Sequence, residues 1–119
     1  MAVSIKELIE QKEAAQARKK KLFDLTTSVG VITFKQPGRA LVAETVSMDD
    51  SDPYLIMECA VEPNLKDKSL LEAYGCAEPT DLPEKLFTSG EVNMIARKLY
   101  EIAGYRKDIQ AEVHEAAKN

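Results

Sequence analysis

The sequence DPYLIMECAV, at residues 52–61, is apolar along most of its length, and Glu58 is its only charged residue after the first. Aspartate is a favoured N-cap, and proline is well tolerated in the first turn of a helix. We therefore predict a helix over residues 53–61, with Asp52 as its N-cap, that ends before Pro63. Because this helix would be apolar on nearly all sides, we expect it at the centre of the core.

The residues that follow predict two further helices. Asp67 is placed to cap a short helix that ends at Gly75, and Ser89 is the expected N-cap of a longer helix that ends at Gly104. The longer helix should pack on the core helix through one apolar face, because its apolar positions recur with a 3.6-residue period. This face consists of Val92, Ile95, Ala96, Leu99, Ile102 and Ala103.

The residues upstream predict a small β-hairpin. Residues 22–34 alternate between apolar and polar types and are rich in threonine and valine, which favours strands. We expect the turn near Thr27 and Ser28, and an end to the hairpin at Pro37 and Gly38. A helical face should follow, made of Leu41, Val42, Thr45 and Val46. The expected fold class is mainly α with a small β-hairpin, an α+β domain.

The first helix differs from the others in having a narrow apolar stripe. Ser4 and Glu7 have the spacing of a capping box, and the helix should run from there to about residue 21. Its stripe consists of Ile5, Leu8 and Ile9 and is too short to be needed in the core. We therefore expect this helix to project from a compact helical domain and to present Ile5, Leu8 and Ile9 to a binding partner.

Length and charge indicate one soluble domain. A chain of 119 residues suits a single domain, which we divide into a peripheral helix at 1–21, a core at 22–105 and a polar helical tail at 106–119. The net charge of −4 gives no general attraction to nucleic acid or to anionic membranes. With no apolar leader and no apolar run near the length of a membrane helix, about 20 residues, we expect a cytoplasmic protein.

The residue inventory offers no reactive site. Cys59 and Cys76 lack a CxxC partner and His114 is the only histidine, so the ligands are too few for a structural zinc site. The acidic residues 49–52 lack the glycine and glutamate of a calcium loop. The five glycines are isolated, which excludes a glycine-rich phosphate loop. We predict that the protein is not an enzyme and uses no cofactor or metal.

Several segments together resemble the XkdN-like family of bacteriophage tail assembly chaperones, from the first helix to about residue 105. Pro83 departs from the family pattern. The segments that carry the resemblance are VGVITF at residues 29–34, YLIMECAVEPNLKD at residues 54–67, AYGC at residues 73–76, EP at residues 78–79 and GE at residues 90–91.

The resemblance implies a function without catalysis. Members look like chaperones that bind the tape measure protein during tail assembly, keep it soluble and help to recruit the tail tube protein. By the same resemblance, the protein would act in the cytoplasm of the bacterial host and be absent from the mature virion. Binding a long helical partner calls for apolar contacts repeated along its length, so we also expect the protein to associate with itself.

A basic cluster supports a different hypothesis. Arg18, Lys19, Lys20 and Lys21 are consecutive at the end of the first helix, where cations also complement the helix dipole. The alternative function is therefore a small nucleic-acid-binding regulatory protein that uses this cluster. No aromatic residues interleave the basic ones, so we expect no nucleic-acid partner.

Overall fold

The protein is an α+β structure in which helices pack against one face of a three-stranded antiparallel sheet. The structure is a computed structural model that describes residues 2–105. None of the described helices is long and apolar enough to cross a membrane. Within this range the elements are α1 (Ile5–Glu10), α2 (Lys12–Lys19), β1 (Leu22–Thr27), β2 (Gly30–Lys35), α3 (Arg39–Val46), α4 (Asp52–Cys59), β3 (Ala60–Glu62), α5 (Lys68–Ala73), a 3-10 turn (Pro79–Asp81), α6 (Leu82–Leu86) and α7 (Ser89–Ile102).

The N-terminal helix begins with the predicted capping box but is broken into two. The Ser4 hydroxyl accepts a hydrogen bond from the Glu7 amide at 3.1 Å, and the Glu7 carboxylate accepts one from the Ser4 amide at 3.4 Å. Gln11 separates α1 from α2, whereas the sequence predicted one helix to about residue 21. Neither half contains a buried residue, so no packed face holds the two halves as one continuous helix.

The predicted hairpin is present and carries one buried face. Strands β1 and β2 pair antiparallel with Thr27 opposite Gly30, which places the turn at Ser28 and Val29, one residue later than expected. Ile32 and Phe34 on β2 are buried against the helices. The hairpin tip is fixed to the start of α7, because the Ser28 amide donates to the Glu91 carboxylate at 2.8 Å.

The prediction that the core helix continues to residue 61 was wrong. The helix α4 ends at Cys59, and Ala60 turns into extended backbone that begins the third strand, β3. Strand β3 pairs with the free edge of β2, with Thr33 opposite Glu62, so the hairpin becomes a three-stranded sheet. Val61 is exposed rather than buried. Val61 is β-branched and Glu62 directly precedes Pro63, and each of these features favours extended backbone.

The start of α4 also differs from the sequence prediction. Ser51 occupies the N-cap position, and Asp52 is the first helical residue, with Pro53 next to it. The Asp52 carboxylate accepts a hydrogen bond from the Asn93 side-chain amide at 3.2 Å. This carboxylate therefore links the start of α4 to α7.

The helix α4 lies at the centre of the core, as predicted. It packs on α7, α3 and α6, and the predicted contact of α7 through Ile95 and Leu99 is confirmed, since both are buried in the same cluster. The fully enclosed side chains come from both helices, the sheet and α6: Phe34, Leu55, Ile56, Cys59, Leu82, Pro83 and Leu99.

Only part of the predicted face of α3 is buried. Val42 and Thr45 point inwards, and the Tyr100 hydroxyl of α7 donates to the Thr45 hydroxyl oxygen at 2.8 Å. Val46 was expected on the same face, but it is the last residue of α3 and is 82% exposed. The helix ends before a further turn could enclose it.

The short helix α5 is capped as expected. The Asp67 carboxylate accepts from the Leu70 amide at 3.0 Å, and a hydrogen bond from the Ser69 hydroxyl lowers the pKa of Asp67. Gly75 follows with φ +68°, the left-handed conformation that glycine adopts without steric cost. The predicted polar tail at residues 106–119, which includes His114, lies outside the described residues.

The N-cap of α7 is one residue earlier than predicted and gives a direct test. The Thr88 hydroxyl accepts from the Glu91 amide at 3.3 Å, and Ser89 is already helical. We expect Thr88→Ala to lower the free energy of unfolding by about 1 kcal/mol through loss of the cap. The matched variant Ser89→Ala should change it by less than about 0.5 kcal/mol. Urea unfolding measures both, and an equal loss at Ser89 would contradict the assignment.

Candidate partner-binding surfaces

The first candidate surface lies on α1. Ile5, Leu8 and Ile9, which we call the N-terminal ridge, are 76%, 55% and 67% exposed. Residues spaced by three and four positions lie on one face of a helix, so the three side chains form a contiguous stripe. Val3, just before the helix, is exposed as well.

The N-terminal ridge is unusual because its three exposed apolar side chains lie next to one another. Single exposed apolar residues are ordinary in soluble proteins, whereas a contiguous apolar stripe indicates an interaction site. No residue of α1 is buried, so the ridge makes no contribution to the core. The structure thus places the three predicted contact residues together on the surface.

The second candidate surface is the basic cluster of Arg18, Lys19, Lys20 and Lys21. All four side chains are exposed; Arg18 and Lys19 lie in the last turn of α2, and Lys20 and Lys21 follow it. Arg18 and Lys21 line a groove together with Glu101, so the lining of that groove has both signs of charge. The Lys21 ammonium lies 5.9 Å from the centre of the Phe23 ring. Lys98 lines the same groove, so its charged residues are three cations and one carboxylate.

A third depression, of about 430 Å³, is bordered by acidic residues of the α3–α4 connection and the 3-10 turn, among them Asp49, Asp50 and Asp81. The Asp81 carboxylate accepts from the Ala77 and Glu78 amides, so it serves the local backbone. Within residues 2–105, no group of three His, Cys, Asp or Glu side chains is arranged to hold a metal ion.

One tyrosine at this depression is held in its neutral form. The Tyr54 hydroxyl donates to the Glu44 carboxylate at 2.5 Å, and this hydrogen bond raises the pKa of Tyr54 to about 12. A phenol with so high a pKa is a poor general acid or base near neutral pH. Tyr54 therefore offers no general acid or base near neutral pH at this depression.

The two cysteines are free thiols in different environments. Cys59 is fully buried in the core, and burial raises its pKa to about 11, so it remains a neutral thiol near neutral pH. Cys76 is partly exposed beyond α5. Since only a thiolate is strongly nucleophilic, Cys59 acts as a small core residue.

The carboxylate within the core helix has a cationic partner. Glu58 forms a salt bridge with Lys66, in the loop after β3. Both side chains are partly accessible to solvent, so the pair adds little stability. Glu62 is the exposed last residue of β3.

A fourth surface was missed by the sequence analysis. A groove of about 280 Å³ lies between the outer edge of β1 and the exposed side of α7, and its walls include Leu25, Thr26, Met94 and Lys98. Met94 is 70% exposed, although its neighbours Val92 and Ile95 belong to the buried apolar face of α7. In the sequence, the available signal was Met94, an apolar residue outside the apolar face of α7. This signal alone did not show that α7 faces β1.

These features define a small α+β protein whose distinctive surfaces are apolar stripes and grooves, suited to contacts with other macromolecules. Residues 3–118 match the profile of the phage XkdN-like tail assembly chaperone family. Because this match covers nearly the whole chain, the protein belongs to that family. No curated protein and no solved structure matches the chain.

Proposed function

We propose that this chaperone binds the tape measure protein of its phage and keeps it soluble while the tail is assembled. The proposal adds a specific partner to the family's general role in tail assembly. The observation that carries it is the N-terminal ridge, an apolar stripe on a helix that buries none of its residues.

The chemistry of the ridge suits a helical partner. A long helical protein without a core of its own exposes apolar stripes along its length, and these would aggregate in water. An apolar helix face packs readily against another helix or in a helical groove. Ile5, Leu8 and Ile9 can therefore cover one such stripe of the partner, while the capping box keeps α1 helical.

The proposed activity involves binding and release only. No nucleotide, metal or covalent step enters it, and the chaperone acts as a non-enzymatic protein. By the same proposal, it works in the cytoplasm of the bacterial host, helps to bring tail tube subunits to the complex, associates with itself and is absent from the mature virion.

Co-expression tests this proposal directly. The tape measure protein of the same phage is produced in bacteria with and without the tagged chaperone, and its soluble fraction is measured. We expect it to be largely insoluble alone, and soluble and copurified with the chaperone when both are present. Equal solubility in both cultures, without copurification, would contradict the proposal. The wash should include high salt, because an apolar contact survives salt that releases proteins bound through nucleic acid.

A further inference from the structure

The outer edge of β1 is an open strand edge. In the described part of the chain, β1 is at one end of the sheet and pairs only with β2. The residues that flank a two-residue hairpin turn exchange hydrogen bonds, here Thr27 and Gly30. Alternate residues of β1 therefore direct their amides and carbonyls away from β2, namely Leu22, Asp24 and Thr26.

This edge has few of the usual protections against pairing, since its one charged residue, Asp24, accepts a hydrogen bond from the Thr33 hydroxyl of β2 at 2.7 Å. Natural proteins protect edge strands with proline, bulges, lysine or a covering element. Strand β1 reads LFDLTT, has no bulge in its pairing with β2, and contains no proline or lysine. The groove beside it is walled by Leu25, Met94 and Ile95, so apolar surface lies next to the unpaired backbone groups.

The charges at the ends of this groove are of opposite sign. Glu91 lies at the end near the hairpin tip, because it accepts hydrogen bonds from Ser28. Lys98 lies at the other end, because it borders both this groove and the neighbouring groove that contains Phe23. The helix α7 thus carries an acidic and a basic group at opposite ends of the β1 edge.

We infer that the β1 edge pairs antiparallel with the β1 edge of a second copy of this chain, about a twofold axis that passes through Leu25. In this register Asp24 faces Thr26 of the second copy and Leu25 faces its own equivalent. A register with Asp24 opposite Asp24 would oppose like charges, which is destabilising. The twofold axis also brings Glu91 of each copy towards Lys98 of the other. Lys98 already lies 3.5 Å from Glu101 of its own helix, so in the dimer its ammonium would lie between Glu101 of the same chain and Glu91 of the second copy.

The inference deepens the proposed function, because it assigns a surface to the proposed self-association. The resulting sheet would have six strands, and the N-terminal ridge, which lies on α1, contributes no residue to the β1 edge or to the groove beside it. A dimer of this kind would then present two ridges to one long partner, which raises the effective affinity without any new contact. The contact between copies and the contact with the partner are thus on different surfaces.

Proline at residue 26 tests the backbone pairing. Thr26→Pro removes an amide that points away from β2, at an exposed edge position where proline is tolerated. Thr26→Val keeps the amide and serves as the matched control. We expect the wild type and Thr26→Val to sediment as dimers in analytical ultracentrifugation, and Thr26→Pro to sediment as a monomer with an unchanged circular dichroism spectrum. A monomeric wild type, or a dimeric Thr26→Pro, overturns the inference.

A second pair of variants tests the same register if Thr26→Pro fails to fold. Lys98→Glu places an acidic group against Glu91 of the second copy, whereas Arg97→Glu makes the same charge change at an exposed neighbour outside the groove walls. We expect the dimer dissociation constant to rise about tenfold or more for Lys98→Glu only. An equal change in both variants, or none in either, contradicts the pairing. These measurements use the chaperone alone, so failure of the tape measure experiment would leave their result unaffected.

Discussion

Leu55→Ala is expected to lower the free energy of unfolding by about 2–5 kcal/mol, and Ile56→Ala by a similar amount. Both side chains are completely buried in α4, between the sheet and α7. Truncation removes apolar contacts on all sides and leaves a cavity that rigid neighbours cannot fill. Since small domains are stable by only about 5–15 kcal/mol, either variant should lose a large part of its stability.

Val46→Ala is the matched control, because the same kind of truncation occurs at a helical side chain that is 82% exposed. It should change stability by less than about 0.5 kcal/mol. Urea denaturation followed by circular dichroism provides all three values. A loss below about 0.5 kcal/mol at both Leu55 and Ile56 would contradict the position of α4 at the centre of the core.

The sequence predicted most accurately the elements in which the hydrophobic pattern extends over many residues. The apolar face of α7 repeats over several turns, and the hairpin alternates over residues 22–34, so each period is clear. The end of α4 was mispredicted, because a short continuous apolar run fits a buried helix and a buried strand equally well. Pairing with β2 decides that Ala60 starts a strand, and this contact is not visible in the local sequence.

The N-cap of α7 shows a smaller limit of prediction from the local sequence. Thr88 and Ser89 are adjacent and both are good N-cap residues, so composition cannot choose between them. The choice depends on where the chain enters α7, and there Glu91 also accepts hydrogen bonds from Ser28, 63 positions away. Long-range contacts of this kind set element boundaries that local propensity leaves open.

The N-terminal ridge and the groove beside β1 differ in how far the sequence could reveal them. The N-terminal ridge lies within a single short helix, so the spacing of Ile5, Leu8 and Ile9 was enough to indicate a shared face. The groove beside β1 is formed by two elements that are distant in sequence. Neither Thr26 nor Met94 signals it alone, because each is an ordinary residue until the fold brings their elements together.

Replacing Ile5, Leu8 and Ile9 together by Ser should abolish or greatly weaken binding of the tape measure protein. Burial of each of these side chains contributes about 1.5–3 kcal/mol. After the costs of ordering, we expect the dissociation constant to rise about 100-fold or more. The fold should persist, because all three residues are exposed and the Ser4–Glu7 capping box is unchanged.

The control replaces three exposed apolar residues outside the ridge by Ser, namely Val29, Val46 and Met48. It lowers the surface hydrophobicity of the chaperone to a similar degree but leaves α1 intact. Copurification with the tape measure protein, followed by titration with a soluble fragment of it, compares the two variants. Loss of binding only in the ridge variant assigns the contact to α1. If the ridge variant binds as tightly as the wild type, the tape measure protein contacts another surface. If both variants lose binding equally, the chaperone recognises its partner through general hydrophobicity rather than through a defined helix face.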